Sequence, residues 1–242
     1  MTDYPKDVLD DICRGAAEDV YMAHQARRLL EELDTVVAVI NETGVGMRFF
    51  ASLQAILQHE LLLGVTRVFE PHSQRNPGRT LRAAIHQIAT HTRELPILNR
   101  HDVAEFLAAR GEPAETEPFC SEQLTGILVQ HLDAYLPRAD STSEKPLDRA
   151  LGLLKTVRDK AIAHRDRVDH ASLLIPGWPH LVGLIGVADQ AVTLLASAYL
   201  SVSYNLEGDG SQAARSLRTL LRCAGLGASI DPRALSTPAS SP

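Results

Sequence analysis

Pro146-Leu-Asp-Arg-Ala-Leu-Gly-Leu-Leu-Lys-Thr-Val-Arg-Asp-Lys-Ala-Ile-Ala-His-Arg-Asp166 reads as an amphipathic helix whose apolar half carries an arginine and a histidine. At about 100° per residue with Leu147 at zero, Leu151, Leu154, Ala161 and Ile162 all lie within roughly 60°. Arg158 falls among them at about 20°, while His164 comes out at about 260° on the flank shared with Ala150, Leu153 and Val157. Arg149, Thr156, Asp159 and Lys160 take the opposite half. Withdrawing an ion from water costs several kcal/mol, so an arginine at such a position needs a partner. A paired structural ion beside a satisfied core histidine is the plain reading of the two; a site is the other.

The spacing favours the site. Arg158, the polar Asp159 directly after it and His164, with five residues between arginine and histidine, resemble the signature of the HEPN superfamily. The wording with Lys160 and Ala163-His164-Arg165-Asp166 is most similar to its abortive-infection U-type branch. Arg48-Phe49-Phe50, Arg67-Val68-Phe69-Glu70 and the leucine-rich approach to Arg158 are similar too, so the resemblance spans roughly residues 10 to 205. Two departures are visible. The branch more often has aspartate where Glu70 stands, and relatives silenced by AMP transfer often carry a tyrosine where this chain has Asp166.

Composition agrees with one helical domain. A chain of 242 residues can bury a sizeable core, and 45% hydrophobic with 22% charged residues is ordinary for a globular protein. Aromatic residues are 5%, strand-like alternation is scarce, and Ala and Leu recur at three- and four-residue spacing. The expected fold is all-α, an up-and-down bundle with a HEPN-like four-helix core and additional helices. The domain is read as 1–227, with its core at about 6–94 and 146–205, a candidate insertion at 95–145, and a disordered Ser/Pro/Ala-rich tail at 228–242.

Along the chain, helices are expected at about Lys6–Glu42, Met47–Phe69, Arg79–Arg93, Asn99–Arg110 with Asn99 as cap, and Ser121–Tyr135. The motif helix follows from Pro146, then one from His180 to Tyr204 and a last amphipathic helix ending near Cys223. On the second helix, with Phe49 as the origin, Leu53, Ile56 and Leu63 define an apolar stripe that also contains Glu60, at about 20°, and Arg67, directly in line with Phe49. Either Glu60 pairs with Arg158 or Arg67 as a supporting ion pair, or the helix is rotated and both charges face water.

The chemistry that arginine and histidine suggest is RNA cleavage without metal. An imidazole exchanges protons near neutrality, and a guanidinium, which keeps its charge, offers a donor fork matched to phosphate. The resemblance implies attack by a 2′-hydroxyl on the adjacent phosphodiester, which spares DNA. Six residues along a helix separate Arg158 and His164 by about 9 Å axially and about 120° around. So either the helix end distorts or two copies meet; the resemblance implies a homodimer through the flank holding Leu153, Val157 and His164. Asp159 is assigned to orienting His164 or Arg158, and Lys160 and Arg165 to holding RNA.

The formal net charge of −6 argues against a general nucleic-acid surface, yet Lys155 to His170 carries five Lys or Arg against three Asp. The partners expected are therefore RNA and a second copy, with an antitoxin protein as a further option. No cofactor is expected, and no metal, because the histidines lack the spacing of helical zinc motifs. Cys13, Cys120 and Cys223 are odd in number and far apart, and the first residues show no leader, so the expectation is a cytoplasmic protein. The apolar run Leu181–Tyr204 has Asp189 and Gln190 near its middle, which fits a buried helix better than a membrane span. The rival reading is a non-catalytic helical dimer module that binds a partner protein or a nucleotide.

Overall fold

The computed structural model describes residues 4–44, 46–73, 78–112, 119–162, 176–208 and 210–226, and among these the regular structure is nine α-helices and one π-helical turn. Helix accounts for 74% of the chain with no strand among the described residues, so the all-α expectation is borne out. The helices are α1 (Pro5–Asp34), α2 (Val37–Thr43), α3 (Met47–Val68), α4 (Leu81–Thr90), α5 (Arg100–Ala108), α6 (Ser121–Tyr135), α7 (Pro146–Val157), α8 (Trp178–Leu200) and α9 (Gly210–Cys223). α1 is the spine, packing on α3, α4, α8 and α9.

Several ends follow from local chemistry. Pro5 and Pro146 open α1 and α7, where their missing N–H groups are not needed. Thr80 caps α4 by accepting from Ala83 N–H at 3.1 Å, and Asn99 caps α5 by accepting from Asp102 N–H at 3.3 Å. The first helix is shorter than expected. Instead of reaching Glu42, α1 stops at Asp34, where the β-branched run Thr35-Val36-Val37 begins and the Thr35 hydroxyl donates to Glu32 C=O at 2.6 Å. The chain restarts as α2, and Val36 and Ile40 form a small second cluster with Leu221 and Leu226.

α3 is rotated from the expected stripe. Its buried side is Leu57, Leu61, Gly64, Val65, Thr66 and Val68, while Phe49 and Ile56 are 65% and 59% exposed. Residues 95–145 are tied into the core. α5 packs on α8 and α6 on α4, and Leu98 and Asn99 donate backbone N–H groups to Ala198 C=O at 2.7 and 3.3 Å. Asp189 and Gln190 face protein from α8, on His24 and Tyr135. Among the described residues α8 alone is long and apolar enough to cross a membrane by composition, and 61% of its most apolar window is buried in the bundle.

The preceding loop fixes α7 in place. Asp148 in its first turn accepts from Arg138 N–H at 3.0 Å, and its carbonyl accepts from Asp140 N–H at 3.3 Å. Gly152 makes the contact possible, since a Cβ there would lie 2.3 Å from Ser141 N. Leu151 and Leu154 then point into the core, and the end of α7 is aimed at the end of α3.

Candidate functional site

The regular helix ends one residue before the motif begins. Arg158–Ile162 wind as a π turn, so the expected helix through His164 is distorted where the motif arginine stands. His164, Arg165 and Asp166 lie outside the described residues; Lys160 is exposed.

Arg158 is 18% exposed and carries its partners with it. Nη1 donates to Glu70 and Nε donates to Asp159 Oδ1 at 3.0 Å, with Nη2 2.9 Å from that same oxygen in an ion pair. Desolvation pulls the guanidinium pKa down, and the hydrogen bonds and charges of Asp159 and Glu70 more than reverse it, so the group ends above its ordinary value. Glu70 is thus the cross-bundle partner, and Glu60 is not. An arginine has five N–H donors, more than these two carboxylates take. A pair of adjacent N–H groups is the geometry that takes two oxygens of a phosphate.

Glu70 is set by the end of α3, its N–H donating to Arg67 C=O at 3.1 Å. One turn back, Arg67 faces Asp19 of α1, with Nη1 3.7 Å from Oδ1. Burial pushes the Asp19 carboxyl up to about 6; Arg67 opposes the rise, and the nearby charges of Glu18 and Glu70 add to it. The expected supporting pair is therefore divided, with Arg67 on Asp19 and the Glu60 carboxylate without a hydrogen bond or ion pair among the described residues. Asp19 was missed by the sequence reading, although the argument that exposed Arg158 finds it. On the α1 wheel Asp19 lies within about 60° of Ile12, Ala16, Ala23, Ala26 and Leu30, all buried.

On the other side of α7 the surface is apolar. A cleft of about 1180 Å³ lies between the end of α1, α2, the first half of α3, α7 and the start of α8, lined by Phe50, Leu154, Val157, Pro176, Trp178 and Leu181 among others. Val157, directly before the motif arginine, is part of this lining, so the cleft borders the start of the motif.

His24 of α1 is 5% exposed and its Nε2 lies 3.1 Å from Asp189 of α8, which also accepts from the Thr193 hydroxyl at 3.2 Å. Among the described residues no three His, Cys, Asp or Glu side chains are grouped as a metal site. Cys13 is buried and its thiol pKa is pushed up to about 12 by burial first and Asp10 second, so it is an inert core residue.

Comparison with known proteins gives one match. The family model HEPN_AbiU2, described as AbiU2, matches residues 7–217, a range that includes the 95–145 segment. No curated protein and no solved structure matches the chain.

Proposed function

The chain belongs to the AbiU2 family of HEPN proteins, an abortive-infection group, and from that premise we propose that it is a metal-independent endoribonuclease cleaving single-stranded RNA. The observation that supports this best is Arg158 at the π turn, withdrawn from most of the solvent and braced by two carboxylates. A guanidinium in that state is preorganised for charge that develops on a phosphate.

The step is an internal displacement. Neutral His164 takes the proton from a ribose 2′-hydroxyl, and the O2′–phosphorus bond forms as the phosphorus–O5′ bond breaks. The imidazolium returns its proton to the departing 5′-oxygen, leaving a 2′,3′-cyclic phosphate and a 5′-hydroxyl with no change of oxidation state. Arg158 holds the non-bridging oxygens, and Asp159 with Glu70 holds Arg158. Lys160 and Arg165 add positive charge along the strand.

A second copy of the chain belongs to this reading. The cleft beside Val157, with exposed Met47, Phe49 and Ile56 on α3 and Trp178 on α8, supplies an apolar face next to the motif suited to isologous pairing in a cytoplasmic homodimer.

The test uses end-labelled single-stranded RNA with EDTA present. Wild type should yield products with 2′,3′-cyclic phosphate ends, a single 2′-deoxy substitution should block the adjacent cut, and folded Arg158→Ala and His164→Ala proteins should leave the RNA whole. Intact RNA with wild-type dimer across pH 6 to 9 ends the enzyme reading and leaves the non-catalytic binding module.

A further inference from the structure

A second, polar cavity of about 400 Å³ opens between α1 and α3, one helical turn from Glu70, and is lined by Glu18, Asp19, Met22, Glu60, Arg67 and Arg79. It exists because the two helices cross closely beneath it: a Cβ on Gly64 would lie 2.7 Å from Asp19 C=O. Nothing in the reaction described above uses it.

Its walls carry a donor fork and an acceptor pair on one face of one helix. Glu60 and Arg67 are seven residues apart on α3, two turns, which puts them about 10.5 Å apart along the axis. Glu60 is half-buried, and its carboxylate has no partner among the described residues. Arg67 is 55% exposed and is held by the Asp19 carboxylate, with Nη1 3.7 Å from Oδ1, so its guanidinium is oriented and still reaches solvent. Arg79, by contrast, is engaged by Asp11 at 3.0 and 3.2 Å. Met22 gives the cavity an apolar, polarizable wall, 40% exposed.

Few nucleic-acid groups present both halves of that pattern. A carboxylate accepts two parallel N–H groups, and the Watson–Crick edge of guanine offers N1–H beside the N2 amino group. An arginine fork donates to two adjacent acceptors, and guanine offers O6 and N7. A purine with a hydrogen bond of about 2.9 Å on each side spans on the order of 10 Å, comparable with the axial separation of the two residues. Adenine lacks the paired donors, and uracil lacks the length. The three carboxylates against two arginines also disfavour a phosphate here.

We propose that this cavity selects an unstacked guanine of the RNA substrate, Glu60 accepting from N1–H and N2–H, Arg67 donating to O6 and N7, and Met22 lying against the ring. Asp19 positions Arg67. The proposal rests on the ribonuclease reading for its polymer, and the geometry ties them together, since Arg67 is one turn from the carboxylate that holds Arg158. A base seated there leaves its own backbone phosphate within about a nucleotide of the guanidinium.

The test is binding of full-length His164→Ala protein to fluorescent octamers of uridine with one central guanosine, inosine, 7-deazaguanosine or adenosine. The guanosine octamer should bind about tenfold more tightly than the other three. Glu60→Gln should erase its advantage over inosine, and Arg67→Met its advantage over 7-deazaguanosine, both proteins melting as wild type does. Equal affinity for all four octamers overturns the proposal, as does a guanosine preference untouched by both substitutions. GMP that binds while the guanosine octamer does not overturns the assignment to RNA. Guanosine-selective binding with no cleavage by wild type removes the ribonuclease reading and supports the pocket; cleavage without base preference removes the pocket and spares that reading.

Discussion

Two of the polar pairings that cross this bundle are built differently. Between α1 and α8, His24 meets Asp189, Asp189 also takes the Thr193 hydroxyl, and the helices run regularly through the contact. Between α3 and α7, Arg158 meets Glu70 and Asp159 where α7 gives way to a π turn, with donors left over and a polar cavity alongside. Both satisfy the rule that buried charge is paired. The difference lies in the backbone: a closed pair inside a regular helix is anchorage, while a pair at a helix irregularity keeps one face for something else.

The largest effect that separates the two clusters is on rate. Arg158→Ala should lower RNA cleavage on the order of 10²- to 10³-fold at unchanged secondary structure, as loss of one preorganised donor group does. Arg158→Lys should recover little of it, because an ammonium cannot span two oxygens. The measurement is single-turnover cleavage of labelled RNA; recovery to within threefold by lysine breaks the claim that the fork geometry matters. In the other seam, Asp189→Ala should leave the rate per folded molecule alone and lower stability by about 2 kcal/mol, because it strips a buried histidine of its partner. Urea unfolding reads the loss, and a rate defect in the folded fraction would erase the distinction between the seams.

A smaller effect tests Glu70. Glu70→Gln keeps a hydrogen bond to Arg158 but removes a negative charge from beside its guanidinium. kcat should fall on the order of tenfold as the guanidinium loses its fixed direction, while KM for RNA falls with the repulsion. Glu70→Asp, which restores the charge on a side chain one carbon shorter, should return most of kcat. A purely structural role would leave kcat and KM moving with the folded fraction alone.

How far the chain could be read from its sequence varied with the kind of signal. Helices with a cap or a proline start were placed within a few residues, as α5 behind Asn99 and α7 behind Pro146 show. Arg158 was legible because one cation broke a long apolar stripe. The rotation of α3 is one of two options the sequence leaves open, because periodicity cannot tell an apolar face that is buried by its own chain from one, like that of Phe49 and Ile56, left on the surface. A distorted end to the motif helix is likewise one of two options, and the sequence does not show that the distortion is a π turn starting at Arg158. Asp19 is a carboxylate inside the apolar stripe of α1, and no motif marks it.

The smallest effect is also the one whose sign matters most. The carboxyl of Asp19 titrates at about 6 in the folded chain against an ordinary 3.8, so between those values the folded state holds a proton that the unfolded state has released. Stability therefore falls as pH rises through that window, and above pH 6 the folded protein carries the full cost of a desolvated anion. Asp19→Asn removes the cost. After discounting for solvent screening of a part-exposed group, it should raise stability by about 1 kcal/mol at pH 7.5 and by nothing at pH 3.5, below the unfolded value. The same substitution leaves Arg67 without its charge partner, so guanosine selectivity should drop while the protein becomes harder to unfold. That opposition is what a site retained for function at the expense of stability produces. Urea titrations at the two pH values, run beside the octamer binding, read both arms; a variant less stable than wild type at pH 7.5 would place Asp19 with His24 and Asp189 among the anchors.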